Sequence, residues 1–269
     1  MTTASPQSDP HRLRATFNAA AELYDRARPG YPAAVFAELF ELASLGPGSR
    51  VLEIGCGTGK ATIPIAQRGC TVVAVELGAD LAAVARRNLD RFTAARVEVA
   101  AFEHWPLPPE PFDAVVAATA FHWLDPAVRV AKAADALRPG GALALIGTHH
   151  VAGGTASFFE EVQACYERWM PGTPPNLRLP AALDIPEDSA ELNDSGRFGP
   201  VLFRRYEWEH AYTTATYLDL LSTYSGHLAL DDTSRAALLD CIATLIDSHY
   251  GGTITKRYLT ELRVARRVR

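Results

Sequence analysis

The sequence predicts an α/β fold, a doubly wound and mostly parallel sheet with helices on both faces. Three observations carry that expectation. Short apolar runs alternate with helical patterns between residues 50 and 148. The run TVVAVE at 71–76 is β-branched with no charge until its last position, which is how a strand buried on both faces reads. The first run, RVLEI, breaks into Gly55-Cys56-Gly57-Thr58-Gly59 and then a helix, so backbone without Cβ atoms sits at the carboxyl end of a strand.

Taken in order, residues 1–10 are polar and expected to fray. Residues 13–27 are alanine-rich, with Phe17, Ala20, Leu23 and Tyr24 at helical spacing. Arg28-Pro29-Gly30-Tyr31-Pro32 breaks that helix, and Pro32 suits the first turn of a second one over 33–45. Gly46-Pro47-Gly48 turns into the first strand at residue 50. A helix follows the glycine turn to about residue 67, and the second strand spans 71–76. Asp80 is placed to cap a helix over 81–92. Further strands are expected at 96–99, 113–118 and 142–147, with a helix started by Asp125-Pro126 and ending near residue 137.

The second half is less regular. An amphipathic helix is expected at 157–169, then a Pro-rich irregular stretch to 200. A strand over 201–210, helices at 214–224 and 233–250, and a strand or mixed segment over 253–268 complete the chain. Phe158, Tyr166 and Trp169 read as a core stripe, and Arg263, Arg266, Arg267 and Arg269 as a solvated face of the last strand.

Composition narrows the function classes. The chain has 269 residues, 48% of them hydrophobic and 21% charged, with a net charge of −5, so it carries no electrostatic footprint for nucleic acid. No apolar run approaches the roughly 20 residues of a membrane helix, and MTTASPQSDPHR lacks a signal-peptide core. Cys56, Cys70, Cys165 and Cys241 are scattered without a C-x-x-C pair and read as reduced cytosolic thiols. The expectation is a cytoplasmic protein with no metal site, no nucleic-acid partner and no membrane association.

The chemistry concentrates at the strand ends, where ligands bind in doubly wound sheets. Residues 76, 101–105, 119–123 and 147–150 all follow expected strands and should converge on one rim. Glu76 lies 19 positions after Gly57, placed to accept hydrogen bonds from two ribose hydroxyls. A dinucleotide fingerprint would put its third glycine at position 60, where Lys60 stands. Glu53, ahead of the turn, suits an amine-bearing or cationic ligand and would repel a pyrophosphate. His122 follows the fourth strand and is either a general base or, with Trp123, a wall against the bound molecules. His149 and His150 follow the fifth strand. One buried and one exposed histidine is the favoured reading there, because no carboxylate lies at metal-ligand spacing.

Glu53-Ile54-Gly55-Cys56-Gly57-Thr58-Gly59 closely resembles the nucleotide-binding motif of class I S-adenosylmethionine-dependent methyltransferases. Asp113 to Ala118 resembles that family's fourth strand, and Leu137-Arg138-Pro139-Gly140-Gly141 its turn before the fifth. Ala120-Phe121-His122-Trp123-Leu124, Phe17-Asn18 and the 24–32 segment resemble a small-molecule subgroup that includes trans-aconitate methyltransferase.

The resemblance implies a Rossmann-like, seven-stranded sheet with S-adenosylmethionine as cofactor. It implies that Gly55, Gly57, Thr58 and Gly59 hold the methionine end with Glu53, and that Glu76 and Leu77 hold the ribose. Ala101, Phe102 and Glu103 would meet the adenine, and Thr119 and Trp123 would complete the cofactor-binding set. Tyr24 and Tyr31 are placed to close over the sulfonium, and Arg28 either pairs with the cofactor's carboxylate or an acidic substrate or is a surface arginine in a helix-breaking turn. The chain then divides into lid helices (1–45), a cofactor-binding core (46–150), a substrate cap (151–200 and 212–250) and closing strands (201–211 and 251–269). Methyl transfer to a small-molecule acceptor is expected, O-methylation of a carboxylate or hydroxyl first, with His122 as the base where one is needed. Transfer to carbon or nitrogen, and a cofactor-binding protein without methyl transfer, are the alternatives.

Overall fold

The computed structural model describes residues 20–268. Phe17, Asn18 and Arg269, and the start of the expected first helix, lie outside the described residues. The sheet has seven strands in the order β3-β2-β1-β4-β5-β7-β6. They are β1 (Arg50–Ile54), β2 (Thr71–Glu76), β3 (Ala95–Val99), β4 (Phe112–Ala118), β5 (Leu137–Val151), β6 (Leu202–Thr213) and β7 (Thr253–Arg266). Strands β1 to β5 are parallel, while β7 runs antiparallel to both β5 and β6. The expected mostly parallel α/β architecture is what the chain adopts. The strand order reverses between β1 and β4, so the rim beyond Ile54 and Ala118 is the switch point where a crevice opens.

Apolar side chains on both faces hold the central strands. Leu52 and Val115 pack on one side, in one cluster with Phe112, Leu137 and Leu143. Val51, Val72 and Val116 pack on the other, under Val35, Phe36 and Leu39 of α2 (Ala33–Ala43). Each fully buried aliphatic side chain contributes about 1.5–3 kcal/mol, so these layers fix the strand ends that carry the site.

A third apolar cluster forms apart from the parallel sheet. Phe158, Tyr217, Leu220, Leu238, Ile242 and Ile246 are buried there against Tyr258 of β7. They come from α6 (Ala156–Glu161), α9 (Thr214–Leu221) and α11 (Asp232–His249). Asp231 caps α11 by accepting from Ser234 N at 2.9 Å.

Several boundaries differ from the sequence reading, each for a physical reason. The fifth strand extends from 142–147 to Leu137–Val151, because β7 pairs with it from Ala142↔Arg266 to Val151↔Arg257. The expected 157–169 helix divides at Val162 into α6 and α7 (Gln163–Trp169). The helix after β2 starts at Ala79, with Gly78 rather than Asp80 as its N-cap, since Gly78 N donates to Glu76 Oε1 at 2.8 Å.

Two expectations are corrected outright. Cys165 on α7 and Cys241 on α11 form a disulfide across 76 residues, while Cys56 and Cys70 are free and buried. Nothing in their sequence spacing announces the pair, because the packing of α7 on α11 brings them together. Arg266 is not a solvated residue either. Its guanidinium donates to Leu42 O, Ala43 O and Gly140 O, closing the carbonyl end of α2. Among the described residues, no helix is long and apolar enough to cross a membrane.

Candidate active site

The site begins where β1 stops. Gly55, Gly57 and Gly59 take positive φ values of +66°, +56° and +91°. At Gly55 a side chain is excluded twice over, since a Cβ would lie 2.6 Å from Ala120 Cβ on the facing loop. The turn is held from the next strand. Glu76 Oε2 accepts from Gly57 N at 2.8 Å while its Oε1 accepts from Gly78 N. One carboxylate therefore ties the glycine loop to the end of β2, and it is 7% exposed at the cavity wall.

Glu53 is the anomaly of the rim. It is 1% exposed, and its Oε2 has no hydrogen-bond partner among the described residues. Burial raises its carboxyl from 4.5 to about 8, with the Thr62 hydroxyl opposing and the nearby Glu76 carboxylate adding to the rise. A buried acid left incomplete beside a cavity is suited to an entering cation or amine.

Above the turn stand residues from the 24–31 segment. Tyr24 Cε1 lies 3.8 Å from where a Gly57 Cβ would be. Arg28 donates to Thr223 Oγ1 at 2.7 Å and to Thr223 O at 3.0 Å, and its guanidinium lies over the rings of Tyr24 and Tyr224. Tyr31 is hydrogen-bonded to Thr119 at 3.0 Å. Thr119 has φ +52°, an uncommon conformation for a β-branched residue and one that turns β4 sharply into the site.

His122 sits exposed at the cavity rim in a short 3₁₀ turn (Phe121–Trp123), its ring 4.9 Å from that of Trp123. Packing around the ring, then the charges of Arg129 and Arg263, hold its pKa below 6.5. The imidazole is therefore neutral near pH 7 and able to accept a proton.

These groups line one cavity of about 570 Å³. The expected site residues Tyr24, Arg28, Glu53, Gly55, Gly57, Thr58, Glu76, Leu77, Phe102, Thr119, His122 and Trp123 all border it. Gly59, Ala101 and Glu103 do not. A Cβ on Gly59 would face Thr62 and Leu89, and Glu103 Oε1 accepts from Asp125 N at 3.3 Å. Among the described residues, no group of three His, Cys, Asp or Glu side chains is arranged to hold a metal.

The far end of the cavity was not marked as a site in the sequence. Lys256, Tyr258, Trp208 and Tyr224 line it, together with His150. Tyr258 stacks on Trp208 with centroids 4.6 Å apart, and Trp208 Nε1 donates to Thr260 Oγ1 at 2.9 Å. The one sequence signal for this wall is the alternation Lys256, Tyr258, Thr260, which puts three polar-tipped residues on one face of a buried strand. The disulfide helices lie behind it.

Comparison with known proteins agrees with this geometry. Residues 51–141 match a family described as methyltransferase domain. An uncharacterized methyltransferase of Mycobacterium bovis is 31% identical over 234 residues, covering 87% of this chain and 86% of its own. A malonyl-[acyl-carrier protein] O-methyltransferase of Geobacter sulfurreducens is 34% identical over 169 residues, 61% of this chain and 58% of its own. The structure of a proposed type II methyltransferase from Anaeromyxobacter dehalogenans superposes with a TM-score of 0.60 at 26% identity, over 90% of this chain and 98% of that one. These matches carry the family and not the trans-aconitate subgroup. With its glycine turn at the switch point, its strand-end acid and a relative matched over most of both lengths, the chain belongs to the class I S-adenosylmethionine-dependent methyltransferases.

Proposed function

We propose that the protein transfers a methyl group from S-adenosylmethionine to an oxygen of a small-molecule acceptor, a carboxylate or a hydroxyl. The observation that carries this is one shared cavity, in which a Cβ-free cradle and a histidine-edged aromatic end occupy one space. The residues present fit the cofactor. The cradle leaves no room for a side chain at Gly55, and Glu53 offers a buried, incomplete carboxyl suited to an amine. Glu53, Gly55, Gly57 and Thr58 would hold the methionine end, with Tyr24 and Arg28 above it. Glu76 and Leu77 would hold the ribose, Phe102 the adenine side, and Thr119 and Trp123 the region of the transferred methyl.

When bound, S-adenosylmethionine supplies an electrophilic methyl on a sulfonium for in-line displacement. The chain's own part is to position the acceptor oxygen and exclude water, which can contribute on the order of 7–11 kcal/mol. Tyr24, Tyr31 and the Arg28–Thr223 contact form the wall on the solvent side. For a hydroxyl acceptor, an unprotonated ring nitrogen of His122 takes the proton as the bond to carbon forms. A carboxylate acceptor needs no base. The Geobacter relative's name, an O-methyltransferase, supports oxygen as the methylated atom.

The test is a screen of small acids, phenols and amines with methyl-labelled cofactor, with product identification by mass. Equilibrium binding of S-adenosylmethionine and NAD runs beside it. Tight NAD binding with none for the sulfonium would sink the proposal, as would labelling confined to carbon or nitrogen. With a hydroxyl acceptor, His122→Ala should slow turnover by roughly 10²–10⁴-fold with cofactor affinity unchanged. Undiminished turnover removes the base.

A further inference from the structure

We infer that Lys256 is an acceptor-binding residue: its ammonium anchors a carboxylate of a flat acceptor seated against the stacked Trp208 and Tyr258 rings. This deepens the methyltransferase reading and rests on it.

Lys256 is 3% exposed, yet among the described residues no carboxylate lies within salt-bridge distance of it. It donates to the Tyr224 hydroxyl, 2.8 Å from Nζ, and its charge also lies 5.2 Å and 5.1 Å from the ring centres of Tyr224 and Tyr258. An ammonium carries three donors. One hydroxyl and two ring faces leave a buried charge under-compensated, which is costly in a folded core and useful in a binding site. Beside it, His150 Nε2 is buried with no hydrogen-bond partner among the described residues. Burial, and then the Lys256 charge, push that imidazole down to about 2, so it is neutral and can offer a ring N–H.

Register explains why these groups converge. His150 pairs with Tyr258 across β5 and β7, and Tyr258 with Trp208 across β7 and β6. Lys256 precedes Tyr258 by two, so both point to the same face. The order of groups along the cavity also separates this end from the cradle. Tyr24 sits over Gly57, Arg28 lies against the rings of both Tyr24 and Tyr224, and Lys256 lies against those of Tyr224 and Tyr258. Arg28 spans the two ends and is tied to Thr223, so Lys256 is the cation set against the Trp208–Tyr258 wall. One cation next to a neutral donor suits one negative charge, a carboxylate rather than a phosphate dianion.

The experiment measures binding to the protein loaded with S-adenosylhomocysteine, by calorimetry and by quenching of tryptophan fluorescence. The probes are benzoate, 4-hydroxybenzoate and cinnamate, their carboxamides, and phenyl phosphate. At least one acid should bind saturably and roughly tenfold or more tighter than its amide, the size expected for a charge-assisted contact. Lys256→Met should abolish that preference and Lys256→Arg retain part of it, with S-adenosylhomocysteine affinity unchanged in both as the control for folding. No saturable binding by any of the acids overturns the inference. So does an amide that matches its acid, phenyl phosphate outcompeting all three acids, or an acid preference that survives Lys256→Met. If S-adenosylhomocysteine itself fails to bind the wild-type protein, the methyltransferase reading fails instead, and the two failures are told apart.

Discussion

Cofactor binding should release a proton, and Glu53 should be its source. The side chain is 1% exposed, and burial holds its carboxyl at about 8, so near pH 7 it is protonated in the ligand-free protein. An ammonium brought beside it favours the carboxylate. If the bound form is ionised, giving up the proton at pH 7 costs about one pKa unit, ~1.4 kcal/mol, or roughly tenfold in affinity. At pH 6 the same step costs roughly a hundredfold. Affinity for S-adenosylhomocysteine should therefore climb about tenfold per pH unit from about 6 to about 7.5, below the range near ~8 where the ligand's own amine loses its proton. Calorimetry in two buffers of different ionisation enthalpy should count close to one proton released. Glu53→Gln should flatten the profile and remove the release. A flat wild-type profile, or the same slope in the variant, refutes the reasoning.

The same carboxyl sets the stability of the ligand-free protein. Its folded value is raised from 4.5 to about 8. Stability is then full below about 4.5 and falls as pH rises toward 8, by ~3 kcal/mol at pH 7. Glu53→Gln should raise the melting temperature at pH 7, with the gain shrinking on acidification; a gain independent of pH would contradict this. Gly55→Ala places a Cβ 2.6 Å from Ala120 Cβ at φ +66° and should cost ~1–3 kcal/mol while weakening cofactor binding. Adding Ala120→Gly should restore the steric share of that loss, and wild-type binding by the single variant would refute it. Unfolding without reductant should expose two labelled thiols, and with reductant four. Opening the Cys165–Cys241 link, which closes a 76-residue separation, should lower stability by up to about 4 kcal/mol.

How much of this was readable from the sequence differs between the two ends of the cavity. The cradle is made of neighbours. Gly55, Gly57 and Gly59 alternate in one turn, Glu76 closes the next strand, and His122 and Trp123 follow the fourth, so strand periodicity and the strand-end rule reach all of them. Two refinements needed coordinates even there. Glu53 could be named as an acid ahead of the turn, but the burial that leaves its Oε2 unpaired depends on what packs over it. Glu103 stood at the right position in the order and is turned toward Asp125 N.

The far end of the cavity is built differently. Lys256 reaches the rim because β7 runs antiparallel into a parallel sheet, and Tyr224 reaches it from the loop after α9. Arg28 and Thr223, 195 positions apart, clamp the two halves together. No local pattern encodes such contacts, since they arise when long-range pairing sets a register. The same contrast bears on specificity. Substitutions on Trp208, Lys256 or Tyr258 would alter the wall proposed to receive the acceptor without touching the glycine turn or Glu76. A chain of this architecture can therefore keep its cofactor cradle while the β6–β7 face changes which molecule receives the methyl group.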